Sequence, residues 1–417
     1  MLTRQGWLVA GGGVVLLALA RLFGIEELYV FGACALVLVL FSAAYVGVKR
    51  LELEVDRTVS PARVHASGAS RVDVRVRNLR LANTPVLRLT EPVTGTPGAE
   101  LLVPPLDPGA AAVASYRLPT ERRGILEVGP LGVVVSDPFG LAQATVQAAE
   151  RVEVTVYPAV AEIQPAPFTT GQDPLAGTQR PHALGRVGDD FYALRPYVVG
   201  DDLRRIHWPS TARHDELLVR QQEQPWQGRT TVLLDVRRAT YDPVAFEIAV
   251  SAAASIVTAN GTRRDLVRLV TTDGTDSGYG VGHAHVQALL EHLAVIQTTS
   301  SASLRTMIEV LYKTGGGALV VVVAQTTTDE LTGIGRLRQR FGWTAIVQTD
   351  GARAGAAARI GAAAAGTRAG VAGVAGASGA VPVVAADSLP AFAASWDRLV
   401  ASQRSGGRPL TGAIGGR

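Results

Sequence analysis

Residues 188–213 read GDDFYALRPYVVGDDLRRIHWPSTAR, and the rest of the chain is best read outward from them. Arg195, Arg204, Arg205 and Arg213 lie among Asp189, Asp190, Asp201 and Asp202 in a chain otherwise rich in Ala, Gly and Val. Forked guanidinium–carboxylate pairing fixes geometry as well as charge, so this density first reads as a structural staple, and second as a surface for a partner. Pro196 disfavours helix before it and Gly200-Asp201 supplies a turn, which predicts Asp201 as the N-cap of a short helix over 202–208 that Pro209 ends. On that helix Arg204 and His207 share one face, and Arg205 and Trp208 another.

After this stretch, Glu216 to Glu223 reads as an edge strand, and Thr230 to Val236 as a strand covered on both faces. Strands and helices then alternate: helix Pro243 to Ala259, strand Asp265 to Thr271, helices Ala284 to Gln297 and Ala302 to Thr314, strand Ala318 to Ala324, helix Asp329 to Phe341, strand Trp343 to Thr349. Such alternation predicts a doubly wound α/β domain over 230–401. Residues 351–380, nearly all Gly and Ala with Arg punctuation, read as a mobile insertion. Val381 to Ala385 and Leu389 to Ala401 read as a last strand and helix, and 402–417 as a disordered tail.

Before it, residues 161–229 read as linker plus the dense stretch. From 51 to 160, short β-branched runs such as Leu51 to Val55, Val72 to Val76, Val86 to Leu89, Ile125 to Val128 and Val152 to Val156 alternate with Pro/Gly/Asn turns, predicting an antiparallel β-sandwich. Asp137-Pro138-Phe139-Gly140 predicts a type I turn.

Residues 1–50 predict a transmembrane helical hairpin. Leu28 to Val48 carries no charge and would span about 31 Å as a helix, against a hydrocarbon core of about 30 Å. Gly6 to Ala20 continues through Leu22, Phe23 and Ile25 if Arg21 snorkels. Arg4 precedes the first helix and Lys49, Arg50 and Arg57 follow the second, with only Arg21 between, so both ends and the globular domains are expected on the cytoplasmic side of the inner membrane. A cleaved signal peptide ending at Ala18-Leu19-Ala20 is the rival reading, and it leaves the second helix as anchor.

The 417 residues carry 40 basic and 36 acidic side chains, a net charge of +4 that gives nucleic acid binding little support. Cys34 is the single cysteine, so no intramolecular disulfide is available.

Gly188, Phe191, Leu194-Arg195, Tyr197, Gly200-Asp201, Arg204-Arg205-Ile206-His207-Trp208 and Ala212-Arg213 resemble the signature of the family known as domain of unknown function 58. Arg123-Gly124, Gly129-Pro130 and Asp137 to Leu141 match a second pattern of that family. The resemblance implies two membrane helices, a β-rich region, a von Willebrand A-like domain, and a MoxR-type AAA+ ATPase as partner. With the hairpin as anchor, the sandwich as spacer and the Arg195 to Arg213 surface for a partner, the favoured expectation is a non-enzymatic scaffold or adaptor at the lipid bilayer, serving cell-envelope or complex-assembly processes. A divalent-cation-dependent binding module of von Willebrand A type is the alternative.

That alternative is judged on Asp235. Domains of that kind place Asp-x-Ser-x-Ser after the first strand to hold a cation, whereas Asp235-Val236-Arg237-Arg238-Ala239 lacks both serines and sets a guanidinium beside the carboxylate. Gln325-Thr326 stands where a further aspartate is wanted. Asp235 is therefore expected to hydrogen-bond or to pair with an arginine, and no metal or cofactor is expected. His283-x-His285 has ligand-like spacing in a Gly-rich turn but reads as inert. Ser210, His207 and Asp201 can be drawn as a nucleophile set, without a nucleophile elbow. Gly315-Gly316-Gly317 lacks the Lys-Ser/Thr of a phosphate-binding loop, so no catalytic residue is expected.

Overall fold

The computed structural model describes residues 1–48, 52–168, 191–197, 206–214, 216–222, 228–349, 372–376 and 379–405. The chain divides into two compact units, Met1–Ala159 with Leu290–Ile296, and Val160–Leu289 with Gln297–Arg417.

The first unit begins with helices α1 (Arg4–Phe23) and α2 (Glu26–Val48), both long and apolar enough to cross a membrane. Thr3 caps α1, its hydroxyl accepting from the Gly6 amide at 3.0 Å. The helices cross at Gly13 and Gly32: a Cβ on Gly32 would lie 2.9 Å from the Gly13 carbonyl, so small residues set the approach of the two backbones.

Ten strands follow, in three sheets. One joins β1 (Leu53–Ser60), β3 (Arg71–Asn78) and β6 (Ala111–Arg117) in the order β1-β3-β6. A second joins β2 (Arg63–His65), β10 (Val152–Tyr157) and β7 (Gly124–Val128) in the order β2-β10-β7. The third joins β4 (Leu87–Glu91), β5 (Ala99–Val103), β8 (Leu131–Ser136) and β9 (Gln143–Ala149) in the order β5-β4-β8-β9. In β3, Val72, Val74 and Val76 are fully buried while Arg71, Arg75 and Arg77 face solvent, the period-two pattern of a strand with one wet face. They share a core with Leu87, Leu89, Leu131, Val133, Val135 and Val154 from the other two sheets.

One pair departs from the antiparallel expectation. β2 lies parallel to β10, Arg63 opposite Thr155 and His65 opposite Tyr157. Three residues are too few to show a pattern of their own, and this pairing joins segments some ninety positions apart, so local sequence does not report it.

Beneath the core surface Arg57 is tied down on all sides. Its Nη1 meets Glu91 Oε1 at 2.5 Å, and Tyr116 donates to Glu91 Oε2 at 2.6 Å. The guanidinium also donates to the Val128 and Glu150 carbonyls. The Arg57 and Glu91 side chains are 4% and 1% exposed, which makes this a buried ion pair. Burial first, then the Glu91 carboxylate, push the Tyr116 phenol far above its ordinary range, so it stays a hydrogen-bond donor.

The second unit is built on a six-stranded sheet of β13 (Arg229–Leu234), β14 (Leu266–Thr271), β15 (Ala318–Val323), β16 (Trp343–Gln348), β17 (Ala372–Gly376) and β18 (Gly379–Ala385). Its order is β14-β13-β15-β16-β18-β17, all neighbours parallel except β17 against β18. Every residue of β15 is buried, as a parallel strand covered on both faces requires. Beyond β14 the chain turns back: Asp276 bridges Val270 and Gly280 bridges Val267, both antiparallel. Arg268 holds that returning segment, donating from Nε to Asp276 Oδ1 at 2.8 Å. The hydrogen bond from Arg268 keeps the Asp276 carboxyl below its usual range, against the opposing effect of burial.

Helices α4 (Pro243–Thr262), α5 (His283–Val295), α6 (Leu304–Thr314), α7 (Thr328–Leu337) and α8 (Leu389–Ser405) separate the strands. Leu304, Leu311, Ile334, Leu337 and Phe341 from α6, α7 and the turn after α7 cover one face of the sheet. α4 and α8 pack together on the other, with Trp396 fully buried and its ring edge-on to Trp343 at 5.8 Å. α4 is apolar enough to pass for a membrane span, yet most of it is buried against the sheet, so burial rather than hydropathy identifies its role.

Three expectations change here. Residues 160–168 are docked rather than a free linker: Ala161 donates to Ser255, Ala166 to Asn260, and the Gln164 carbonyl accepts from Trp396 Nε1 at 2.7 Å. Within the Gly/Ala-rich insertion expected over 351–380, residues 372–376 form β17, because an edge strand needs backbone ladder bonds and little side-chain burial. Positions 350–371 lie outside the described residues. Of the tail expected over 402–417, residues 402–405 are helical, since α8 continues to Ser405, and 406–417 lie outside the described residues.

Candidate functional site

The carboxyl ends of β13 and β15 bring together Asp235, Arg237, Thr240, Thr272, Gln325 and Glu330. Asp235 is fully buried just past β13. Arg237 folds back onto it: its amide donates to Oδ1 at 3.1 Å, Nε lies 3.0 Å from both oxygens, and Nη2 is 2.9 Å from Oδ2. Thr272 donates to Oδ1 at 3.0 Å and Thr240 to Oδ2 at 3.3 Å, so the carboxylate is surrounded by donors.

The guanidinium is equally engaged. Its Nη1 donates to Glu330 Oε1 at 2.7 Å and its Nη2 to the Gln325 carbonyl at 3.1 Å. Glu330 also closes the capping box of α7, accepting from the Thr327 amide through its other oxygen at 2.8 Å. One glutamate thus caps a helix and neutralises a nearly buried arginine. Burial alone would lower the Arg237 pKa, but Asp235 and then Glu330 outweigh it and hold the group charged. Burial, and after it the Asp235 charge, push the Tyr241 phenol well above its ordinary value.

A divalent cation would need oxygen donors free at the position that Arg237 occupies. Asp235 turns both oxygens to the guanidinium, and Gln325 offers a carbonyl that the same guanidinium takes. These residues do not fit a metal, because a covalently tethered positive charge already stands there. Among the described residues no cluster of three His, Cys, Asp or Glu side chains is placed to ligate one. His283 and His285 do not converge on a common centre: His283 is exposed at the start of α5, while the His285 ring is bonded to the Val267 carbonyl at 2.9 Å.

The signature stretch is described in part. β11 (Phe191–Pro196) and β12 (Leu218–Gln222) pair antiparallel, with Arg195 opposite Val219. The Tyr197 amide donates to the Leu217 carbonyl at 2.8 Å and the His207 amide to the Leu218 carbonyl at 2.8 Å, so both ends of the stretch are stitched to β12 and the residue before it. Gly200, Asp201, Arg204 and Arg205 lie outside the described residues, as does most of the helix expected over 202–208.

The helix that is described, α3 (Trp208–His214), begins where the expectation ended one. Pro209 sits in its first turn, where no amide donor is needed and the fixed φ is already helical. His207 therefore takes the capping place: its carbonyl accepts from the Ser210 and Thr211 amides, and its Nδ1 lies 2.8 Å from the Ser210 hydroxyl. That histidine–serine contact closes a helix turn. Trp208 is 63% exposed, and Ala212 and Arg213 beside it are exposed as well.

Sequence reading singled out Asp235 and Arg237 but missed Glu330, which lies 93 positions from Arg237. Its one local sign is the Thr327-x-x-Glu330 capping pattern, which predicts a helix start and says nothing of a distant arginine.

Residues 193–353 match a family model described as "Protein of unknown function DUF58". No curated protein matches the chain. Among solved structures, a crystal structure of the CARDB domain of a Pyrococcus furiosus protein, in complex with di-metal ions, is 18% identical; the match covers 25% of this chain and 93% of that one with a TM-score of 0.21. The alkylpurine DNA glycosylase AlkC of Pseudomonas fluorescens is 11% identical, with 31% of this chain and 39% of that one covered and a TM-score of 0.19. A Listeria innocua β-glucosidase is 13% identical, over 25% of this chain and 17% of that one, with a TM-score of 0.15.

Proposed function

Since residues 193–353 of this chain belong to the DUF58 family, we propose that it is a non-enzymatic scaffold anchored in the cell membrane, with its folded units on the cytoplasmic side, which recruits a MoxR-type AAA+ ATPase. The observation that carries this reading is Trp208, 63% exposed on the first turn of α3 with Arg213 exposed close by in the same helix. Trp and Arg are the side chains that most often dominate protein–protein binding energy, and an indole left in water on a short helix stitched to β12 is a rigid anchor.

Three further features support the reading. With the returning segment Asp276 to Gly280 counted as an edge strand beside β14, the sheet has five parallel strands between antiparallel edges and helices on both faces, which favours a von Willebrand A-like fold for the second unit. The Arg237 guanidinium between Asp235 and Glu330 favours recognition without a cation, so the cation-dependent alternative loses the donors it needs. The two apolar helices supply the anchor, and Arg4 at the start of α1 favours the cytoplasmic side for the chain ends.

Capture of the ATPase by the detergent-solubilised chain tests the proposal. Trp208→Ala is expected to weaken capture about thirtyfold or more, since loss of a hot-spot side chain removes about 2 kcal/mol or more. An exposed residue of this kind leaves the fold intact, which its unfolding midpoint would verify. Undiminished capture by Trp208→Ala would remove this surface from the account.

A further inference from the structure

The turn Asp137 to Leu141 is joined to the membrane helices. Thr3 donates its hydroxyl to the Gly140 carbonyl at 2.7 Å and its amide to the Leu141 carbonyl at 2.9 Å. Gln143 donates to the Met1 carbonyl at 2.9 Å, and Leu2 bridges Ala142, so the start of the chain runs as a short strand against this loop. Gly6 is buried against the Leu141 carbonyl so closely that no side chain fits there. On the other helix Ser42 and Val46 are buried, and α2 packs against β9.

The turn itself is rigid. Asp137, 4% exposed, accepts from the Phe139 amide at 2.9 Å and the Ala142 amide at 2.6 Å, and its own carbonyl accepts from Gly140, whose φ of 70° suits glycine. Burial would raise the Asp137 carboxyl, but the Ala142 amide, the nearby Ser42 hydroxyl and the Phe139 amide together hold it below the usual range. The Ser42 hydroxyl lies against the carboxylate without reaching strict hydrogen-bond geometry. The carboxylate is therefore buried as an anion that organises the loop, and the loop presents Phe139 outward, 55% exposed.

The depth of this loop follows from the helices. It lies level with the first turn of α1 and with Ser42 on α2, six residues or about 9 Å short of Val48 at about 1.5 Å per residue. α2 is about 34 Å long by the same rise, about 4 Å more than a hydrocarbon core of about 30 Å, so a level about 9 Å short of its end lies just inside the boundary between headgroups and acyl chains, about 5 Å below the edge of the core. Trp7, 68% exposed one turn into α1, marks the same level, where amphipathic aromatics collect.

We propose that the Asp137–Leu141 turn is a membrane-contact site, whose Phe139 ring inserts at the boundary between phospholipid headgroups and acyl chains and seats the β-sheet region on the bilayer beside its own anchor. This rests on the membrane-anchor reading, and the test separates the two. Full-length protein with Cys34→Ser is reconstituted in phosphatidylcholine/phosphatidylglycerol vesicles, with one added cysteine carrying an environment-sensitive fluorophore: Phe139→Cys, Leu81→Cys or Val37→Cys. Leu81 is 98% exposed in the same unit and serves as the water reference, and Val37 is 63% exposed midway along α2.

At position 139 the emission is expected to shift to the blue and to be quenched about twofold by lipids bearing a nitroxide near the headgroup, and less by lipids bearing it at the tail end, as for an interfacial side chain. Position 37 is expected to respond most to the tail-end nitroxide, and position 81 to neither. A label at 139 that behaves as the one at 81, while 37 is quenched, overturns the contact site and leaves the anchor standing. A label at 37 that stays in water overturns the anchor, and the contact site with it.

Discussion

Arg237→Ala is expected to destabilise the second unit by about 3–5 kcal/mol, the range for removing one partner of a buried ion pair. The mechanism is specific. Asp235 is fully buried, and without the guanidinium its carboxylate keeps only the donors of Thr272, Thr240 and the residue 237 amide, with no countercharge beside it. Glu330 loses its partner at the same moment and keeps only its capping contact. Arg237→Lys should recover part of the loss, since one ammonium cannot reproduce a fork that meets both oxygens of Asp235 and also reaches Glu330. Asp235→Asn combined with Arg237→Ala should cost less than Arg237→Ala alone, because the uncompensated charge is gone. Urea unfolding followed by tryptophan fluorescence reads all three, Trp343 and Trp396 lying in this unit. An Arg237→Ala protein with an unchanged midpoint would contradict the buried pair.

Glu91→Ala should do to the first unit what Arg237→Ala does to the second, again by about 3–5 kcal/mol. Arg57 is 4% exposed and would be left with the Val128 and Glu150 carbonyls but no carboxylate, and the Tyr116 hydroxyl would lose its acceptor. Glu91→Gln keeps the shape and one hydrogen bond and should fall between. The change belongs to the β-sheet region, so amide exchange should rise in β1, β4 and β7 while β13 to β16 stay protected. Equal loosening of both regions would show that the pair is not local to the sheets it joins.

The parts of this structure that were legible in sequence are those whose signal is local and periodic. β3 alternates Val with charged residues, β15 is an unbroken Ala-Leu-Val run, and α4 opens with Asp242 and Pro243, a cap and a helix-compatible proline. Such segments fix their own class because burial on one face, both faces or a stripe leaves a mark every two or every three to four residues.

What was illegible depends on distant partners or on backbone alone. β2 is three residues long and takes its parallel register from β10, and β17 is Gly/Ala-rich and takes its place from the β18 ladder. Helix α3 went unforeseen because Pro209 was read as a stop, when in the first turn it is a start. Asp235 stood out as a lone acid after a core strand. Glu330 was read as part of a helix beginning, which it is, and its second task could be seen only once the fold had brought α7 over the end of β13. The Asp137 turn was recognisable from its residue types, while its bond to Thr3 crosses more than 130 positions and left no trace in either segment.

At the carboxyl ends of β13 and β15 the Arg237 guanidinium, held by Asp235, Glu330 and the Gln325 carbonyl, fills the place that a divalent cation would need. Calorimetric titration of Mg²⁺ and Mn²⁺ into the detergent-solubilised full-length protein tests this most directly. The account predicts no saturable heat with either ion and no cation-dependent change in unfolding midpoint. A stoichiometric binding isotherm that disappears in Asp235→Ala would contradict it.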